Sequence, residues 1–235
     1  MVTNTLAKDF EHTFAGLTIE ERGKLKGATI LVTGCGGFLG YYFMRFFQSK
    51  ADDLELKKVI GLDNFMLGYP QWIEELSKDS LFDIQKFDII KDKIEKVNGA
   101  AEADYIIHMA SIASPVFYRQ YPIETLDANI WGLRSLLDFY KERTIKGFLF
   151  YSSSELYGNP YLLLKNIMVM YVPQDRVHVM MNPNVLVKRC VCCLLRNIIC
   201  RLGWQDLSIT MVPGCASMIS VCLQILRWQS KKIGI

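Results

Sequence analysis

An apolar run, Thr29-Ile30-Leu31-Val32-Thr33, leads directly into Gly34-Cys35-Gly36-Gly37-Phe38-Leu39-Gly40, and the residues that follow have the periodicity of a helix. This order of strand, glycine turn and helix constrains the fold more than any other feature of the chain. Gly34, Gly37 and Gly40 stand at G-x-x-G-x-x-G spacing. The early glycines permit a tight turn and a close approach of backbone to a pyrophosphate, and the last lets helix and strand pack closely. The helix start at Phe38 and Leu39 adds unpaired N–H groups at the positive end of its dipole. The pattern therefore predicts a dinucleotide-binding unit.

The surroundings fit that unit. Strands are predicted at Thr29–Thr33, Lys58–Leu62, Asp83–Lys86, Tyr105–Met109 and Gly147–Ser152, with helical patterns at Phe38–Lys50, Trp72–Lys78 and Pro122–Glu142. Alternation of this kind predicts an α/β fold, a Rossmann-like doubly wound parallel sheet. Its strands are covered on both faces, which is why Ile30-Leu31-Val32 and Phe148-Leu149-Phe150 are continuously apolar. Asp63 ends the second strand, 23 residues after Gly40. A carboxylate there accepts hydrogen bonds from ribose hydroxyls and repels a 2′-phosphate, so Asp63, with Asn64 beside it, predicts NAD rather than NADP.

Composition excludes other classes. The 235 residues are 51% hydrophobic and 22% charged with a net charge of +3, and basic and acidic residues are interleaved, so no nucleic-acid partner is expected. Residues 1–27 carry many charges and no continuous apolar core, which argues against a signal peptide and for a cytoplasmic location. The apolar stretch Val185 to Cys200 is broken by Lys188, Arg189 and Arg196, so no membrane span is expected. The seven cysteines are expected to be reduced thiols. Cys190, Cys192, Cys193 and Cys200 lie in an apolar pattern rather than as separated pairs on turns, so no metal site is expected.

Further motifs resemble the extended short-chain dehydrogenase/reductase family, also called the NAD-dependent epimerase/dehydratase family. Asp88-Ile89 is similar to its adenine-side pair, His108-Met109-Ala110-Ser111 to its H-x-A-[AS] strand end, and Asn129 to its helix-borne asparagine. Taken alone, His108 reads as a satisfied structural group and is assigned no chemistry. Ser152-Ser153-Ser154-Glu155-Leu156-Tyr157-Gly158-Asn159-Pro160 resembles the family's S-[ST]-x-E-x-Y-G-[DN]-P. The resemblance implies a cofactor contact at Ser152 and catalytic or substrate contacts at Ser153, Ser154 and Glu155. Hexose dehydratases have an aspartate as general acid where this chain has Ser154, whereas decarboxylases acting on UDP-glucuronate read S-T-S-E there. Those decarboxylases also resemble residues Ala110 to Thr125 without a gap. The resemblance thus implies NAD, a nucleotide-sugar substrate, a homodimer and decarboxylation through oxidation at C4, with 4-epimerase and 4,6-dehydratase as alternatives.

The family's Y-x-x-x-K pair should follow a loop after Y-G-x-P. Tyr161 and Lys165 have the spacing but abut Pro160 directly, so they are read as a coincidence. Beyond Pro160 the resemblance ends, and the genetic code offers a reason. Each codon of a shifted frame takes the third base of one residue and the first two of the next, and Met has a single codon. Met180-Met181-Asn182 then forces an Asp-Glu pair, and the stretch His178 to Val191 permits A-C-Y-D-E-S-K-R-F-G-E-T-L-C, the family's catalytic helix. Asp206 to Gly214 permits R-P-F-N-N-Y-G-P-G, the next landmark in order. The expectation is a one-base frame change between Pro160 and Leu164. It divides the chain into a lead-in (1–27), an NAD-binding domain (28–160) and an aberrant segment (161–235), and leaves either an impaired enzyme or a non-catalytic NAD-binding remnant.

Overall fold

The computed structural model describes residues 4–151. Two short helices, α1 (Asn4–Ala15) and α2 (Ile19–Leu25), precede the first strand β1 (Thr29–Thr33). The main unit then runs α3 (Phe38–Lys50), β2 (Lys58–Asp63), α4 (Gln71–Leu76), β3 (Phe82–Lys86), β4 (Tyr105–His108), α5 (Pro115–Gln120), α6 (Pro122–Asp127), α7 (Leu133–Tyr140) and β5 (Gly147–Phe150). All strand pairings are parallel, in the order β3-β2-β1-β4-β5. That order reverses direction between β1 and β4, and in open α/β sheets the crevice outside the strand ends at such a point is where ligands bind.

The sheet has an apolar layer on each face. On one side Ile30, Val32, Val59 and Ile107 pack with Phe43, Phe46 and Phe47 of α3. On the other, Leu31, Ile60, Leu62 and Ile106 pack with Leu136, Leu137 and Tyr140 of α7. The lead-in helices join the first layer through Leu6, Phe10, Leu17 and Leu25, and the Phe10 and Phe46 rings meet edge to face at 5.9 Å. Phe10→Ala should therefore cost about 3 kcal/mol by chemical denaturation, as for a core aromatic. A cost near zero would show that α1 is not part of the core.

Polar groups close the helical pair. Thr18 and Glu21 form a capping box at the start of α2, and Arg22 donates to the carbonyls of Phe14 and Leu17. Lys50, only 5% exposed, donates to Glu11 at 2.5 Å and to Asp53 at 3.1 Å. Burial alone would lower the lysine pKa, but these carboxylates outweigh it and the net shift is upward. A raised lysine pKa means that, on the basic side, the link from α1 to α3 holds through neutral pH and is lost as pH rises through that value.

The predicted helix Pro122–Glu142 is interrupted by a π-helical turn at Ala128–Gly132. Asn129 donates its side-chain amide to the Thr125 carbonyl at 2.7 Å, the acceptor its own backbone N–H would use in an α-helix. Among the described residues no helix is long and apolar enough to cross a membrane.

Candidate functional site

The predicted cofactor residues that are described lie on the turns at the C-terminal edge of the sheet and on the helical segment after α6. Gly34 leaves β1 with φ +76°, and its N–H donates to the Leu62 carbonyl at 2.8 Å. Only glycine adopts that conformation freely, and a Cβ there would lie 2.9 Å from the Ala110 nitrogen. Gly40 is constrained by packing: its Cβ would meet the Cys35 carbonyl oxygen at 2.2 Å. Gly37 differs from both. It is exposed, with φ −79° and ψ −177°, and a Cβ would touch only the Gly34 oxygen, at 3.4 Å. The fold tolerates a side chain there, and the space it would fill lies outside the turn. Phe38 and Leu39 begin α3, whose N-terminus has no side-chain cap. Their N–H groups therefore present a positive dipole end with the character of an anion site.

Asp63 stands at the edge of the same turn. One carboxylate oxygen accepts from Gly36 N–H at 2.9 Å and the other from Phe65 N–H at 2.8 Å. Each carboxylate oxygen has two lone pairs, so both keep acceptor capacity for ribose hydroxyls. Asn64 is exposed and closes its own turn by accepting from Met66 N–H at 3.0 Å. Cys35 is fully buried inside the turn, and burial first, with the charge of Asp63 second, pushes its thiol pKa upward. It stays neutral and adds no negative charge beneath the turn.

Asp88 follows β3. Its carboxylate accepts from Ile90 N–H at 3.0 Å and pairs with Lys91 at 3.5 Å. The Ile89 side chain is buried against Gly132, where an added Cβ would lie 2.7 Å from it. Ala110 and Ser111 leave β4 beside Gly34. The Ser111 hydroxyl oxygen is buried with no hydrogen-bond partner among the described residues, a donor and acceptor that a bound group would satisfy. Asn129 is buried on the π turn. Ser152, Ser153, Ser154 and Glu155, the frame-change interval and the cysteines of the tail all lie outside the described residues.

Sequence reasoning missed two bonds that shape this site, the carboxylate of Asp63 on the Gly36 amide and the hydroxyl of Thr33 on the β4 turn. Each joins residues far apart in the chain and leaves no local pattern. The uncapped helix start, the open face of Gly37, the remaining acceptor capacity of Asp63 and the Ser111 hydroxyl, unpaired among the described residues, together fit a dinucleotide. Asp63→Ala should lower NAD affinity by about tenfold and NADP affinity less, read by calorimetry. A larger loss for NADP would overturn the role of the carboxylate.

Comparison with known proteins agrees with the fold. Residues 30–164 match the NAD dependent epimerase/dehydratase family. The chain is 32% identical over 135 residues to UDP-glucuronic acid decarboxylase 1 of Arabidopsis thaliana, a match covering 57% of this chain and 28% of that protein. It is also 32% identical over 133 residues to UDP-glucuronic acid decarboxylase 1 of Danio rerio, covering 56% and 28%. The solved structure of UDP-N-acetylglucosamine 4-epimerase from Methanobrevibacter ruminantium M1, in complex with UDP-N-acetylmuramic acid, superposes with a TM-score of 0.59 at 26% identity, over 77% of this chain and 53% of that one. The chain thus spans well under two thirds of the length of each of these relatives.

Proposed function

The chain belongs to the NAD dependent epimerase/dehydratase family, and on that premise we propose that it is an NAD-binding member of the nucleotide-sugar branch, most like UDP-glucuronate decarboxylase and catalytically impaired as written. The observation that carries this reading is the open cradle at Gly37 on the uncapped start of α3, with Asp63 at its edge.

In this proposal the Gly34, Gly37 and Gly40 turn, with Phe38 and Leu39, holds the pyrophosphate, and Asp63 with Asn64 holds the adenosine ribose. Asp88 and Ile89 flank the adenine. Ala110, Ser111 and Asn129 border the nicotinamide side, and the family resemblance assigns Ser152 a cofactor contact and Ser153, Ser154 and Glu155 substrate or catalytic roles. NAD, when bound, supplies a reversible hydride acceptor for a sugar carbinol. Ser154 in place of a carboxylic acid removes the proton donor a dehydration needs, which favours decarboxylation over 4,6-dehydration. Residues 28–160 carry these groups, and residues 1–27 brace them through α1 and α2. Residues 161–235 lack the tyrosine and lysine in their family context, which makes the chain a binder rather than a catalyst. The family match stops at residue 164, within the interval assigned to the frame change, and that supports this reading. A homodimer belongs to the same proposal, and the exposed side chains of Val116, Ile123 and Trp131 offer apolar surface for it.

A panel of nucleotide sugars assayed for NADH formation with the frame-restored chain tests the substrate class. The expected result is a signal with UDP-glucuronate above all others. A signal confined to UDP-hexoses would favour the epimerase instead.

A further inference from the structure

Thr33 and His108 end neighbouring strands, in register with one another, where the sheet order reverses. Both side chains are buried, each residue being 1% exposed. The Thr33 hydroxyl oxygen lies 2.7 Å from His108 Nδ1. It also accepts from Ala110 N–H at 3.2 Å and from Met109 N–H at 3.3 Å, the latter shared with the Thr33 carbonyl at 3.1 Å. A hydroxyl has one proton and two lone pairs. With both lone pairs turned to amide donors, its proton is left for the ring nitrogen. Nδ1 is then the acceptor, and a neutral imidazole carries its own proton on Nε2.

We infer that His108 is a positioning residue that works through Thr33 to hold the Met109-Ala110-Ser111 turn against the Gly34 turn. These two turns touch backbone to backbone, since a Cβ on Gly34 would lie 3.0 Å from the Met109 carbonyl carbon and 2.9 Å from the Ala110 nitrogen. In the proposed function they border the two halves of one dinucleotide, so their mutual register decides whether both halves fit at once. A hydroxyl rotor aims its lone pairs only when its proton has a fixed acceptor, and His108 supplies that acceptor. The ring is itself held by stacking on Phe150 at 5.6 Å and by the edge of Phe148 at 6.5 Å. An aromatic support from β5 thus reaches the dinucleotide turn through one imidazole and one hydroxyl.

The positioning role rests on the proposed NAD site, whereas the tautomer does not. The chain has three histidines, His12, His108 and His178. Ring-15N-labelled full chain, with His12→Asn and His178→Asn for assignment, reads the protonation of each His108 nitrogen by NMR. The expected spectrum is a single neutral tautomer with Nδ1 bare and Nε2 protonated, becoming a mixture in Thr33→Val. Calorimetry with NAD forms the second arm. Thr33→Ser should stay within about twofold of the original affinity, and Thr33→Val and His108→Leu should lose about tenfold or more. His108→Asn, whose Oδ1 can accept from the threonine, should recover part of the loss. A protonated Nδ1 at neutral pH, or a folded Thr33→Val that binds NAD as well as the original chain, would overturn the inference. If the original chain binds no NAD, the proposed function fails. The ring spectrum then still decides: a change in Thr33→Val supports the latch, and an unchanged spectrum overturns it.

Discussion

Gly37→Val should abolish measurable NAD binding, a loss of at least about 100-fold, or about 2.7 kcal/mol, while leaving the fold intact. The reason lies in how Gly37 differs from its neighbours. Its dihedral angles suit any residue, and an added Cβ meets only the Gly34 oxygen, at 3.4 Å. A valine there is accommodated by the protein and obstructs only what approaches from outside, above the N–H groups that begin α3. Gly40→Val provides the contrast. Its Cβ would lie 2.2 Å from the Cys35 carbonyl oxygen, a backbone atom that cannot move aside, so that variant should fail to fold. Circular dichroism beside calorimetry separates the two. A Gly37→Val chain that is folded and binds NAD normally would remove the pyrophosphate from this turn.

The second large effect concerns catalysis. Restoring the frame between Pro160 and Leu164 should raise carbon dioxide release from UDP-glucuronate by at least about 100-fold, the lower range for a positioned acid–base group. The chain as written should show none above background, because the tyrosine whose pKa a neighbouring lysine would lower is absent from its expected context. Equal turnover by both chains would defeat this account. So would coding DNA whose shifted codons across His178 to Val191 do not spell Y-D-E-S-K.

Most of the sheet was legible because burial on two faces leaves a simple trace. β1 and β5 are continuous apolar runs, and β1 and α3 begin and end where the pattern places them. The edge strand β3 begins one residue before the predicted Asp83, at Phe82, which is buried and belongs to the core. α5 was not predicted, although Pro115 at its first turn was an available signal. Within the lead-in, α1 begins at Asn4, and buried Leu6, Phe10 and Thr13 line the face that it turns to the core.

What local pattern could not reveal depends on distant partners. The π turn lies where Gly132 meets Ile89, a residue far back in the chain. The glycine positions and Asp63 were legible as types, since few residues serve those geometries. The bond from Asp63 to Gly36 and the bond between Thr33 and His108 span 27 and 75 positions, and only the folded sheet brings them together.

If the β1 turn, α3 and Asp63 form an NAD site, the full chain binds NAD in solution. Isothermal titration of the full chain with NAD and, separately, with NADP tests it most directly. Saturable binding of one NAD per chain with weaker binding of NADP is expected, and no binding of NAD, or tighter binding of NADP, would rule the site out.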